Sequence, residues 1–242
     1  MRIAHFTDMH ITEDGSRLQD IDVRKNFNDV LDDIQSHNPD LIILGGDLAA
    51  KAGEKGAYLW IHEQLKRIDI PVYPIAGNHD DPSLIKSIFL TRMEIKGPYL
   101  DYTLDSHGQS FIFLDTANSY VNQEQIDWLQ NTVSNLSGFP ILFMHHPPQL
   151  CNCQFIDRRY PLINHQEVWD VIKSLPTIKF IFCGHYHTEK TIQVDDRTIF
   201  LTPSTFLQMS PDNDKYQVDT HPPGWRRIDT NKHVCETSVR YI

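Results

Sequence analysis

Five short motifs place imidazole, carboxylate or amide groups where an apolar run stops: Asp8-x-His10, Gly45-Gly46-Asp47, Gly77-Asn78-His79-Asp80, His145-His146-Pro147-Pro148 and Gly184-His185-x-His187. Such groups ligate transition-metal ions, and histidine also does general acid–base work near neutral pH. Taken singly each motif is weak, because an aspartate at a strand end ordinarily caps a turn and a histidine is ordinarily solvated or satisfied in the core. Their shared context is the signal. Each follows a run that reads as a buried strand, beginning with Ile3-Ala4-His5-Phe6, and ligands of open α/β sheets gather beyond the carboxyl ends of strands. An extended backbone through Asp8 and His10 would turn both side chains to one face. The pattern predicts one shared metal site.

The elements that must position these groups follow from periodicity. Val23, Phe27, Val30, Leu31 and Ile34 recur at helical steps, as do Tyr58, Ile61, Leu65 and Ile68. With the runs Leu41 to Leu44 and Val72 to Ala76 they make two βαβ units, which deliver Asp8, His10, Asp47 and Asn78 to one sheet edge. Leu84 to Phe89 suggests a short helix. Tyr99 to Leu104 and Ser110 to Asp115 flank a Ser106-His107-Gly108 turn and predict an antiparallel hairpin. Asn122 with Gln125, and Asn164 with Glu167, look like capping boxes opening two further helices. Between them Pro147 to Leu162, holding Cys151-Asn152-Cys153, reads as a long connection that walls or covers the site. Thr191 to Val194 with Arg197 to Thr202 suggests a second hairpin, and Trp225 to Asp229 and Val234 to Tyr241 final strands. The expected architecture is α/β, two sheets face to face with helices outside, as one domain over residues 1–242.

Composition narrows the classes. A net charge of -10 opposes a nucleic-acid polymer at long range, although a metal centre reverses the field locally. The apolar runs are too short to span a bilayer, and Met1-Arg2 leads into a strand without a signal-peptide core, so the expected location is cytoplasmic with no membrane partner. Four cysteines are too few for a disulfide scaffold in a cytosolic chain of 242 residues and are expected to be thiols. Asp115, at a strand end outside the motifs, is expected to be structural.

Taken together and in this order, the five motifs resemble those of the calcineurin-like metallophosphoesterases, and they cover the chain from Asp8 to His187. The resemblance implies a four-layer α/β/β/α sandwich of two mixed sheets and two divalent or mixed-valence metal ions. It implies that Asp8, His10 and His187 hold one ion, that Asn78, His145 and His185 hold the other, and that Asp47 bridges them. The donor set suits Fe or Mn, with Zn or Co as alternatives. Two ions about 3.5 to 4 Å apart can ionise a bridging water and orient an in-line displacement at phosphorus. The resemblance also assigns His79 to the transition state or leaving oxygen. Asp80 is expected to orient His79 through a hydrogen bond. His146 is left beside the metals or facing substrate.

Thr202-Pro203-Ser204-Thr205, Ser210-Pro211-Asp212 and Pro222-Pro223-Gly224-Trp225-Arg226 resemble the closing stretch of bacterial class III 3',5'-cyclic AMP phosphodiesterases. That resemblance implies a small phosphodiester substrate, a cyclic nucleotide first, opened to a 5'-monophosphate. The expected substrate-facing residues are Asn78, His79, His146, His187 and Thr205. The alternative is a glycerophosphodiesterase or a broad small-molecule phosphodiesterase or phosphatase. A nuclease and a non-catalytic scaffold on the same fold rank lower, and the expected oligomeric state is monomer or homodimer. The connection from Gln149 to Leu162, with its Cys-x-Cys and Arg158-Arg159, departs from the family pattern and leaves the substrate open.

Overall fold

A computed structural model describes residues 1–231 and 234–242. In chain order the elements are β1 (Arg2–Phe6), α1 (Val23–Ser36), β2 (Leu41–Leu44), α2 (Lys55–Leu65), β3 (Val72–Pro74), α3 (Pro82–Phe89), β4 (Tyr102–Ser106), β5 (Gln109–Leu114) and α4 (Gln123–Asn135). There follow β6 (Ile141–Met144), α5 (Gln154–Arg159), α6 (His165–Ser174), β7 (Phe180–Cys183), β8 (Lys190–Val194), β9 (Arg197–Leu201), β10 (Gln208–Met209), β11 (Val218–Asp219), β12 (Gly224–Thr230) and β13 (Cys235–Tyr241).

Two mixed sheets carry the fold, in the orders β13-β12-β1-β2-β3 and β4-β5-β6-β7-β9-β8, and β10 pairs separately with β11. In the first sheet β1, β2 and β3 run parallel, while β12 lies antiparallel to β1 and places the end of the chain beside its beginning. In the second, β5, β6, β7 and β9 run parallel, closed at either edge by the hairpins β4-β5 and β8-β9. The alternation of the second sheet explains its two faces. Tyr102, Phe113, Phe143, Phe182 and Phe200 stand in register across five strands and form a row of aromatic contacts with ring centroids 4.3–5.6 Å apart. This row meets the first sheet, where His5 sets its ring edge-on against Phe143 at 5.3 Å and Tyr102 donates its hydroxyl to the Pro74 carbonyl at 2.7 Å. The intervening residues Ile112, Leu142, Ile181 and Ile199 face the other way into a second core with α4 and α6. Helices α1 and α2 cover the first sheet, so the four-layer order follows.

The helices begin where sequence chemistry places them. Asp22 accepts from Lys25 N at the start of α1, and Asn122 and Gln125 form the expected capping box at α4. The second expected box is not formed. Asn164 turns back to Val121, donating Nδ2 to its carbonyl at 2.7 Å and accepting its N–H at 3.1 Å, and so ties α6 to the start of α4. The connection after β6 is not wholly irregular either, because it contains α5. All four cysteines are free thiols. Among the described residues no helix is long and apolar enough to cross a membrane.

Candidate metal centre

The parallel strands of both sheets end at one place. Asp8 and His10 follow β1, Asp47 follows β2, Asn78 and His79 follow β3, His145 follows β6, and His185 and His187 follow β7. Two overlapping groups of donors converge there, Asp8 with His10, Asp47 and His187, and Asp47 with His145 and His185, each group's donor atoms lying within 4.8 Å of one another. Asp47 belongs to both. Its Oδ2 lies 3.7 Å from His10 Nε2 and 3.4 Å from His145 Nε2, while Asp8 Oδ1 is 3.2 Å from His187 Nε2.

The local backbone that achieves this is not the extended one expected at Asp8 and His10. Strand β1 ends at Phe6, and Asp8, His10, Asp47, His185 and His187 all adopt left-handed backbone, with φ between 47° and 66°. Each such non-glycine residue costs on the order of 1–3 kcal/mol and persists only where the surroundings enforce it. Here they do, through hydrogen bonds from Asp8 N to Gly46 O at 2.9 Å and from His10 N to Asp47 O at 3.0 Å. Gly77 is required for another reason, since a Cβ there would meet Asp47 Oδ1 at 2.2 Å.

Backbone carbonyls aim the rings. His145 Nδ1 bonds Gly45 O at 2.8 Å and His187 Nδ1 bonds Leu207 O at 3.0 Å, so both rings turn Nε2 inward. His185 is reversed: its Nε2 bonds Tyr160 O at 2.8 Å, which leaves Nδ1 as the free donor. A carbonyl partner fixes the tautomer of a ligating imidazole in this way. Tyr160 closes α5, and α5 is itself held by Asp157, whose carboxylate accepts from Cys151 N at 3.0 Å, Cys153 N at 2.9 Å and the Tyr186 hydroxyl at 2.8 Å. No motif marked Asp157 or Thr7, whose hydroxyl donates to Asp8 Oδ2 at 2.8 Å.

The electrostatics call for cations. Burial alone would raise Asp8, but His187 and His145 outweigh it and bring the carboxyl down to about 2. Burial likewise opposes ionisation of Asp47, and His145 and His10 overcome it, leaving Asp47 well below the usual carboxylate range. His145 is the reciprocal case, raised to about 9 by Asp47 and Asp8 against its burial. Two buried carboxylates facing imidazoles are stable only with positive charge between them, and a bound metal ion meets that demand without a proton. The side-chain atoms Asn78 Oδ1 and His145 Nε2 are buried with no hydrogen-bond partner. His145 Nε2 faces Asp8 and Asp47, where an ion would take its lone pair, and Asn78 lines the same cleft as Asp47. The residues present therefore fit a pair of transition-metal ions.

Three expected roles are corrected. Asp80 does not bond His79: its carboxylate accepts from Leu48 N, Ala49 N, Gly77 N and the Tyr58 hydroxyl at 2.9–3.1 Å, while His79 Nδ1 bonds Ala50 O at 2.8 Å. Tyr58, which periodicity marked only as an apolar helix position, is thus part of the scaffold. His146 does not face substrate. It is fully buried, with Nδ1 on Thr116 Oγ1 at 3.0 Å and Nε2 on Ser119 Oγ at 3.2 Å, and its ring lies against that of His185 at 4.1 Å. Thr205 is also fully buried, its N–H on the Thr7 carbonyl, and it lies outside the cleft beside the histidines. Asp115 is structural, accepting from Leu100 N and Ala117 N.

Beside the histidines opens a cleft of about 510 Å³. Asp47, Asn78, His79, His185 and His187 form its floor, and Phe155, Tyr160, Tyr216 and Phe206 stand among its walls. A carboxylate shared by two histidine-rich donor groups, at the ends of parallel strands of two facing sheets, defines the class: hydrolytic proteins built around a dinuclear metal site. The family model for calcineurin-like phosphoesterase matches residues 1–189, and the chain belongs to that family. It is 36% identical over 241 residues to a probable cyclic nucleotide phosphodiesterase of Fibrobacter succinogenes, covering 100% of this chain and 94% of that protein. It is 29% identical to the 3',5'-cyclic adenosine monophosphate phosphodiesterase CpdA of Haemophilus influenzae, covering 100% and 90%. Among solved structures, a dimetal phosphatase from Danio rerio superposes with a TM-score of 0.67 at 12% identity, over 94% of each chain, which shows the shared fold.

Proposed function

We propose that this chain is a two-metal phosphodiesterase that hydrolyses 3',5'-cyclic AMP to the 5'-monophosphate. The observation that carries the reading is end-to-end similarity to relatives named for cyclic nucleotides, 36% identical over 241 residues to the Fibrobacter protein. In this reading Asp8, His10 and His187 would hold one ion, Asn78, His145 and His185 would hold the other, and Asp47 would be shared between them. Iron or manganese is the first choice and zinc or cobalt the alternative, since mixed imidazole, carboxylate and amide donors suit such ions. When bound, the pair supplies Lewis acidity at the phosphoryl oxygens and makes water more acidic.

The chain's own groups do the rest. His79 gives Nδ1–H to the Ala50 carbonyl, which fixes its ring and leaves Nε2 to the cleft. Protonated there, it donates to the departing 3'-oxygen as a general acid. The His79 N–H also holds Asp47 Oδ1 at 2.8 Å, so the acid and the bridging carboxylate are positioned together. Asp80 acts through backbone, binding the loops that carry Asp47 and Asn78, and is a positioning residue. The substrate-facing set is Asn78, His79 and His187. We read residues 1–242 as one domain, cytoplasmic, acting as a monomer or homodimer on a small phosphodiester rather than a nucleic-acid polymer. A side-by-side assay of cyclic AMP, cyclic GMP, glycerophosphodiesters and a chromogenic diester tests the substrate. The expected order puts cyclic AMP first, and failure on both cyclic nucleotides overturns it.

A further inference from the structure

The outer wall of the cleft is built differently from its floor. Phe155, from α5, sets its ring 5.9 Å from that of Tyr160 and 6.0 Å from that of Tyr216, so three aromatic side chains from two separate segments meet at the mouth. Tyr160 and Tyr216 are 56% and 46% exposed, which leaves ring surface open to solvent. From the opposite lip comes Gln19, whose Oε1 accepts the Tyr216 hydroxyl at 3.0 Å, a bridge between residues 197 positions apart. Gln19 and Asp20 are the central pair of a tight turn closed by reciprocal hydrogen bonds between Leu18 and Ile21, at 3.0 and 2.9 Å. Both have left-handed backbone, with φ of 48° and 63°. A turn of this kind strongly prefers asparagine or glycine, and glutamine is a poor occupant. Strain of this sort is kept where a side chain is needed. The bridge uses the oxygen of the Gln19 amide and leaves its NH₂ as a donor at the lip.

We infer that this mouth is a nucleobase subsite, in which the edge-to-face pair of Phe155 and Tyr216 offers one ring face to a flat heteroaromatic base, and Gln19 holds Tyr216 in place and offers its amide to the ring edge. The inference rests on the reading of the site as one for small phosphodiesters and deepens it. Aromatic faces accept any base, so the subsite favours nucleotides over glycerol-type diesters without choosing strongly among bases. A glycerol diester has no ring to present to these walls. Cleft size agrees, because about 510 Å³ lies within the usual range for a small-molecule site.

The test compares two competitive inhibitors of chromogenic diester hydrolysis that share a phosphate and differ by the base, 5'-AMP and ribose 5-phosphate. The metal-loaded protein should bind 5'-AMP about tenfold more tightly, the low end of what stacking and one polar contact contribute. Phe155→Leu keeps apolar bulk, removes the ring, and should shrink that ratio to about threefold or less. Gln19→Gly should shrink it also, while its melting temperature stays level or rises, since glycine relieves the left-handed turn. That pairing separates a recognition role from a structural one. Equal inhibition by both compounds in the wild type, or an unchanged ratio in both variants, overturns the subsite even if cyclic AMP is hydrolysed. A base-dependent ratio in a protein inert toward cyclic AMP would uphold the subsite and reject the proposed substrate.

Discussion

His145 and His146 are neighbours in the chain, both fully buried, and they belong to regions of opposite character. His145 looks toward the strand-end cluster, where its Nε2 and the Asn78 Oδ1 have no hydrogen-bond partner. His146 looks the other way, into a group formed by Thr116 and Ser119 where both ring nitrogens are taken, next to Asp115 and Gln125 whose bonds are likewise made. Burial and residue type do not distinguish the two regions. Satisfaction does: buried polar groups are normally paired, and converging groups left without partners wait for a ligand.

The largest effect is expected at Asp47, which both donor groups share. Asp47→Ala should abolish binding at both metal positions and lower diester turnover far more than the roughly 10–100-fold typical of losing an outer partner of a metal ligand. Elemental analysis beside a turnover assay checks it. Two ions retained at wild-type affinity would mean that Asp47 holds neither of them.

The neighbouring histidines provide the next test. His145→Ala should lose one of two ions, with turnover down by more than about 100-fold. His146→Leu should keep both ions, with affinity reduced by no more than about tenfold through the His185 ring it supports, and lose about 1–3 kcal/mol of stability because Thr116 and Ser119 hydroxyls lose partners. Metal titration and denaturant unfolding separate the two outcomes. A reversal, with His146 needed for metal and His145 for stability alone, would invert the assignment.

Most of the site was legible because each donor closes an apolar run, and runs of that kind can be read without coordinates. The helices α1, α2 and α4 were equally legible from their periodic apolar faces. The geometry that joins Asp8 to His10 was not, since left-handed backbone at aspartate and histidine has no compositional mark and depends on Gly46 O and Asp47 O across the sheet. Asp80 misled for a similar reason. Adjacency to His79 suggested a side-chain pair, whereas its real partners are three N–H groups and Tyr58, brought in by tertiary packing. Asn164 offered a capping sequence, and a stronger demand from the Val121 backbone overrode it. The short α5 has too few residues to show a period.

A smaller effect sharpens the satisfied region. Asp101, at its edge, is pushed up to about 7 by burial and by neighbouring acids, against hydrogen bonds from Asp115 N and Gln125. A carboxyl whose folded value is raised binds its proton more tightly than the unfolded chain does, so its contribution to stability is full below about pH 4 and falls as pH rises toward 7. Asp101→Asn keeps the accepting oxygen and removes the titration. Its stability relative to wild type should therefore climb with pH across that window, by an amount on the order of 1–3 kcal/mol, measured by denaturant unfolding at pH 4, 6 and 8. A pH-independent difference would mean that Asp101 is charged at no extra cost, and that this region is more open than its hydrogen bonds imply.

The smallest effect marks where lack of a partner stops being informative. Thr205 Oγ1 and His5 Nε2 are also buried without hydrogen-bond partners, yet His5 lies outside the donor groups that converge at the strand ends and Thr205 lies outside the cleft beside them. What makes His145 part of a site is convergence with Asp47 and His185, and Asn78 lines the same cleft as those two groups' shared carboxylate, because a single donor binds an ion weakly and a lone buried hydroxyl is merely a cost. Thr205→Val keeps the shape and removes that hydroxyl, while the Thr205 N–H bond to Thr7 O survives. Stability should be unchanged or rise by up to about 1–2 kcal/mol, with turnover and both ions within about twofold of wild type. A large loss of turnover in a folded, fully loaded variant would return Thr205 to the substrate-facing set and show that burial in this structure does not decide access.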